Sequence, residues 1–198
     1  MKLDLVHDIQ TAYRKVIDSM SRPGTVSDIS DEASKVAVQT DSFPSTAILA
    51  LMFLDTEVTF KVFSRREEEV TKWINGWTYA KAVEADEADF LFVLADADEV
   101  KMKTAIDAAK AGTLMNPHES AVLIMETDEL NAGTELVLTG PGIQEKQLIS
   151  VPNASAWMNK REEKNSEYPL GVDFIFTDAE GYVLCLPRTT QVREKVMM

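Results

Sequence analysis

The sequence predicts an α/β protein, a three-layer sandwich built round a mixed β-sheet. Three observations predict it. Phe90-Leu91-Phe92-Val93-Leu94 is a short, wholly apolar run, as expected of a central strand covered on both faces. Helical and strand patterns alternate through the first part of the chain, while consecutive strands dominate the end. The two closing strands, either side of Asp178-Ala179-Glu180-Gly181, are apolar on both faces and need cover on both sides.

The elements follow in chain order. Residues 5–21 read as a helix whose stripe is Ile9, Tyr13, Val16, Ile17 and Met20. Arg22-Pro23-Gly24 stops it, with Pro-Gly at the centre of a type II turn. Thr25-Val26 opens an extended segment, and Lys35-Val36-Ala37-Val38 is a second short strand candidate. Ser42 to Asp55 reads as a buried helix capped by Ser42 or Ser45. Val58, Phe60 and Val62 alternate with polar residues as in a strand. Arg65 to Asn75 is a charged helix, with Glu67, Glu68 and Glu69 at its dipole-favoured start and Asn75-Gly76 as its stop.

After the central apolar run, Asp96 or Asp98 caps a helix that runs to about Ala111, and Gly112 ends it. Ala121 to Met125 is a buried strand. Glu135 to Thr139 is expected beside it, ending at Gly140-Pro141-Gly142. Asn153 to Lys164 reads as a helix, and the closing hairpin follows. No repeat, low-complexity tract or linker interrupts residues 1–198, so one domain is expected.

Composition narrows the function. The formal net charge of −13 argues against general nucleic-acid binding, which needs a basic footprint. It leaves room for a phosphorylated small molecule held by a local arginine. No segment has the eighteen or more apolar residues of a membrane span, and none near the start reads as a secretory leader. A cytoplasmic protein with no membrane partner is expected. The single cysteine, Cys185, lies mid-strand between two leucines and reads as a buried, inert thiol. With His7 and His118 far apart, no metal site is expected. Asp96 and Asp98 precede a helix and read as caps; His118 reads as a solvated loop residue.

The closing hairpin holds the sharpest puzzle. Asp173 sits within an apolar strand, and a buried carboxylate costs several kcal/mol unless it is paired. If Asp178 pairs with Gly181, Asp173 lies opposite Leu186 and Gly171 opposite Arg188. Arg188 and Asp173 then share a face as diagonal neighbours, and one residue of slip parts them. The pair is either an ion pair closing the sheet end or an arginine held ready for an anion. Trp73 and Trp77, one helical turn apart in a polar helix, read either as core or as a partner-binding patch.

Several segments, taken in order, resemble the PhnH family of the bacterial carbon–phosphorus lyase system. They are Tyr13 to Gly24, Gly112-Thr113-Leu114 with Pro117, Leu136 with Leu138-Thr139-Gly140-Pro141-Gly142-Ile143, Tyr168-Pro169-Leu170-Gly171-Val172-Asp173, and Leu186-Pro187-Arg188-Thr189-Thr190. Each is weak alone; the ordered set spans nearly the whole chain. The loop departs from the family pattern at Glu119-Ser120, where a glycine is common.

The resemblance implies a cytoplasmic subunit in organic phosphonate catabolism, working with PhnG, PhnI and PhnJ and forming a homodimer. It implies support for transfer of an alkylphosphonate to the ribose of ATP with displacement of adenine, by a protein not catalytic alone. The implied fold is similar to that of pyridoxal-phosphate-dependent transferases but lacks the cofactor, and no cofactor is expected. No catalytic residue carries over; Asp173, Arg188 and, more distantly, Arg22 are the candidate site residues. The competing reading is a stand-alone nucleotide- or phosphonate-binding enzyme whose site is the Arg188 end of the sheet.

Overall fold

The computed structural model describes residues 3–37, 40 and 42–195. In chain order the elements are α1 (His7–Ser21), β1 (Val26–Asp28), α2 (Ser30–Ala33), α3 (Pro44–Phe53), β2 (Thr59–Phe63), α4 (Glu67–Thr78), β3 (Lys81–Ala82), β4 (Phe90–Val93) and α5 (Glu99–Ala108). A 3-10 turn at Pro117–Glu119 leads to β5 (Val122–Glu126), β6 (Thr134–Thr139), β7 (Gln147–Val151), α6 (Ala154–Lys164), β8 (Asp173–Thr177), β9 (Tyr182–Leu186) and β10 (Gln191–Glu194).

The main sheet has the order β1-β9-β8-β5-β4-β2-β3, and a second sheet has the order β10-β6-β7. Strands β8, β5, β4, β2 and β3 run parallel, while β9 is antiparallel to both its neighbours. The sheet is therefore mixed, as expected. Alternate residues of its strands feed two cores. Phe60, Val62, Phe92, Ile124, Ile175 and Cys185 pack towards α1 to α4. Leu91, Val93, Leu123, Phe174, Phe176 and Leu186 pack towards α5, α6 and the second sheet. The apolar runs in β4, β8 and β9 are thus explained by cover on both faces.

Five expectations need correction. In α1 the most buried positions are Ala12, Val16 and Ser19, while Tyr13 and Ile17 are exposed. Small residues face the sheet because α1 crosses β9 closely: the Cys185 amide donates to Ser19 Oγ at 2.9 Å. Lys35 to Ala37 form a turn and bend after α2, not a strand, and Val38 lies outside the described residues. Neither Ser42 nor Ser45 caps α3. The Glu126 carboxylate from β5 takes that role, accepting from the Phe43 amide and the Thr46 hydroxyl, both at 2.7 Å. Helix α4 runs through Asn75-Gly76 to Thr78 and ends on Tyr79 in the left-handed region at φ 60°. Asn75 marks that end through its side chain, which donates to the Ala80 carbonyl at 2.8 Å. Strand β6 pairs with β7 and β10 in the second sheet and not beside β5, because β8 fills that edge of β5.

Two motifs noted separately in the sequence dock on each other. The turn Arg22–Thr25 closes with a Thr25 N–H to Arg22 carbonyl bond, and the turn Gly140–Ile143 closes likewise. A Cβ on Gly24 would lie 2.3 Å from Gln147 Cγ, and one on Gly142 would lie 2.4 Å from the Ser21 carbonyl oxygen. Both glycines also hold positive φ, at 95° and 80°, so a side chain is excluded twice over.

Candidate functional site

Asp173 opens β8, and Arg188 follows the end of β9. The ladder between them pairs Phe174 with Leu186 and Ile175 with Cys185. This register is one residue away from the expected one. On it, Asp173 would face Pro187. The two charges meet nonetheless, by a different route. Pro187 has no N–H to continue the ladder, and a turn closed by the Thr190 N–H to Pro187 carbonyl bond swings the chain away. The Arg188 amide then donates to Asp173 Oδ1 at 2.7 Å. The side chain wraps back round the strand end, with Nη2 2.6 Å from Oδ2 and Nε 3.3 Å from Oδ1.

Arg188 has further partners in the loop before β5. Its Nη1 donates to the Pro117 carbonyl at 2.9 Å, and Nη2 also donates to Ser120 Oγ. Both side chains of the pair are 18 % exposed. The guanidinium therefore ties three segments together: the start of β8, the 3-10 turn and the turn after β9. Ser120 was no candidate in the sequence, where it stood out only as part of the departure from the family pattern.

Behind this pair lies an arginine that the sequence reading passed over. Arg161 on α6 is 3 % exposed. It donates to the carbonyls of Thr190 at 3.0 Å, Pro187 at 2.6 Å and Leu186 at 3.4 Å. Its guanidinium carbon lies 5.7 Å from the centre of the Phe174 ring. Burial pulls its pKa down to about 10, and the nearby Asp173 charge offsets only part of that. The missed signal was spacing. Ala154, Trp157 and Arg161 are the buried positions of α6 and recur at helical intervals, so Arg161 lies on the apolar stripe of an otherwise charged run. Arg161, Arg188 and Arg193 line a pocket of about 360 Å³ with Thr190, Met158 and Val192.

The opposite ends of the parallel strands carry carboxylates. Glu126, 6 % exposed, also accepts from the Ala95 amide at 2.9 Å. Burial raises its pKa, against the pull of Thr46 and the two amides. Asp96 accepts from Ser64 Oγ at 2.9 Å and the Arg65 amide at 2.8 Å. Asp98, the other capping candidate, caps α5 by accepting from the Lys101 amide at 2.8 Å. Asp178 accepts from the amides of Leu130 and Tyr182.

The remaining candidates lie elsewhere. Arg22 pairs with Asp18 one helical turn back and faces a separate cleft beside Lys146 and Gln147. Trp73 and Trp77 have ring centres 6.3 Å apart, and Trp77 is 56 % exposed. They line an apolar groove of about 220 Å³ with Leu3, Leu5, Val36 and Leu51. Cys185 is fully buried, and burial pushes its thiol up to about 12, which leaves no thiolate for nucleophilic chemistry near neutral pH. His118 is exposed on the 3-10 turn. No helix among the described residues is long and apolar enough to cross a membrane.

Fold and site together define a three-layer α/β protein with a mixed sheet, with Arg188 and Arg161 at the amino end of β8 and Asp96, Glu126 and Asp178 at the carboxyl ends of β4, β5 and β8. The profile of the family described as "Bacterial phosphonate metabolism protein (PhnH)" matches residues 3–193, and the chain belongs to that family. It is 32 % identical over 191 residues to "Putative C-P lyase subunit protein HtxG" of Stutzerimonas stutzeri, across 94 % of this chain and 86 % of that protein. It is 28 % identical over 194 residues to "Alpha-D-ribose 1-methylphosphonate 5-triphosphate synthase subunit PhnH" of Rhizobium meliloti (strain 1021), across 97 % of this chain and 94 % of that one.

Proposed function

We propose that this chain is a subunit of the bacterial carbon–phosphorus lyase system and acts in organic phosphonate catabolism. The observation that carries this reading is the family match over nearly the full length, joined to two relatives whose names both give them as subunits of that chemistry. The step it supports is transfer of an alkylphosphonate to the ribose of ATP with displacement of adenine. Its partners in that step are PhnG, PhnI and PhnJ, and the chain works as a cytoplasmic homodimer formed of one domain over residues 1–198. Its architecture is similar to that of pyridoxal-phosphate-dependent transferases, without the cofactor. The inert Cys185 fits a chain that contributes binding and assembly rather than covalent catalysis. The exposed Trp77 side chain and its groove are the candidate contact with a partner subunit.

The test is genetic. A clean deletion should abolish growth on methylphosphonate as the sole phosphorus source and spare growth on phosphate. Normal growth on methylphosphonate, with no second copy of the gene, overturns the proposal. Unchanged capture of PhnG, PhnI and PhnJ by a Trp77→Ala chain would remove the tryptophan groove from it.

A further inference from the structure

Among the described residues, four buried side-chain polar atoms have no hydrogen-bond partner, and two of them, Arg161 Nε and Thr190 Oγ1, belong to residues lining one pocket. An unsatisfied buried donor is costly, so a cluster of two invites a ligand. The charge balance invites an anion. Arg161 is buried, yet its hydrogen bonds go to carbonyl oxygens and to no carboxylate. The acid that offsets its charge is Asp173, and both Asp173 oxygens are bound by Arg188. Arg193 is exposed on β10 and has no carboxylate partner among the described residues. Glu162 on the rim is the one acid among the described lining residues. The lining is therefore net positive in a chain whose overall charge is −13.

We propose that the pocket between α6, the turn 187–190 and β10 binds the phosphorus oxyanion of a small molecule. Arg193 and Arg161 supply the charge and Thr190 Oγ1 a hydrogen bond. A guanidinium fork matches a tetrahedral oxyanion, and the exposed fork of Arg193 beside the buried Arg161 charge suits a dianion better than a lone carboxylate. The volume of about 360 Å³ exceeds what a bare phosphate fills, and Met158 and Val192 offer apolar surface to the rest of the ligand. Arg188 is already committed to Asp173, Pro117 and Ser120, so it shapes the wall and adds its field. That the ligand carries a phosphonate rests on the proposed function; that the pocket takes an oxyanion does not.

Titration calorimetry on the full chain at fixed, low ionic strength tests this with inorganic phosphate, methylphosphonate and ATP as separate probes. Saturable binding of at least one is expected, and the tightest probe identifies bare anion, phosphonate or nucleotide triphosphate as the ligand. Arg193→Glu, at an exposed site, should weaken it about tenfold or more with an unchanged urea midpoint, and Thr190→Val should weaken it several-fold without lowering the midpoint. No saturable binding of any probe at millimolar concentration overturns the proposal, as does binding that Arg193→Glu leaves unchanged. Failure here and failure of the proposed function are separable. A deletion strain that grows normally, with binding intact, overturns the phosphonate role and keeps the pocket. A deletion strain that cannot grow, with no binding, does the reverse.

Discussion

At the carboxyl ends of β4, β5 and β8 the chain places Asp96, Glu126 and Asp178; at the amino end of β8 it places Asp173 with Arg188, and Arg161 close behind. In open α/β sheets the carboxyl ends are the usual place for ligands. Here their carboxylates accept from the amides of Phe43, Arg65, Ala95, Leu130 and Tyr182, and so pin the loops that leave the sheet. That end is held by its own backbone, with only Asp96 Oδ1 buried and unpartnered among these carboxylate oxygens, and its charge repels anions. The amino end of β8 inverts the arrangement. One arginine is saturated by a carboxylate, and a second is buried on carbonyls alone. On the proposed reading, position in the sheet does not decide where the anion goes; unpaired positive charge does.

The comparison is broken most severely at Asp173. Asp173→Ala leaves the Arg188 guanidinium largely buried without its partner, and urea unfolding should show a loss of about 3–5 kcal/mol. A loss below about 1 kcal/mol would mean that the ion pair does not hold the sheet end. Glu126→Ala attacks the other end. It strands the Phe43 and Ala95 amides and should cost about 2–3 kcal/mol in the same measurement.

A pH series sharpens the contrast further. Burial raises the Glu126 pKa above its ordinary 4.5, so the folded state holds that proton more tightly than the unfolded chain. The stability this group contributes is fully present below pH 4.5 and is lost as pH rises through the folded value. Relative to Glu126→Gln, the wild-type chain should therefore lose stability as pH rises from 4.5, then level off. A difference that stays flat across that range would place Glu126 in a more polar setting than its burial implies. The smallest effect belongs to Arg22. Its ion pair with Asp18 is exposed, and Arg22→Ala should change stability by about 0.5 kcal/mol or less.

How much of this was legible in the sequence depends on whether the signal was local. The central strand β4, the cap at Asp98 and the turns at Pro23-Gly24 and Pro141-Gly142 rest on neighbouring residues, and they stand as read. The strand β7 was missed because Gln147-Leu148-Ile149-Ser150-Val151 carries only a weak alternation, and its pairing is with β6 in the second sheet. The cap of α3 was misassigned because its carboxylate comes from Glu126, which the sequence places 83 residues from Phe43. Asp173 and Arg188 meet as expected, yet through a slipped register, because Pro187 ends the ladder and the side chain turns round the strand end. Arg161 sits among Lys160, Glu162, Glu163 and Lys164, a charged run that hides it; only the stripe it shares with Trp157 marks it as buried.

The most direct measurement is a crystal structure of the full chain grown with tungstate, a heavy tetrahedral oxyanion located by its anomalous scattering. The account predicts one strong site between Arg161, Thr190 and Arg193. Tungstate bound instead beside Asp96 or Glu126, or only on scattered surface lysines, would contradict it.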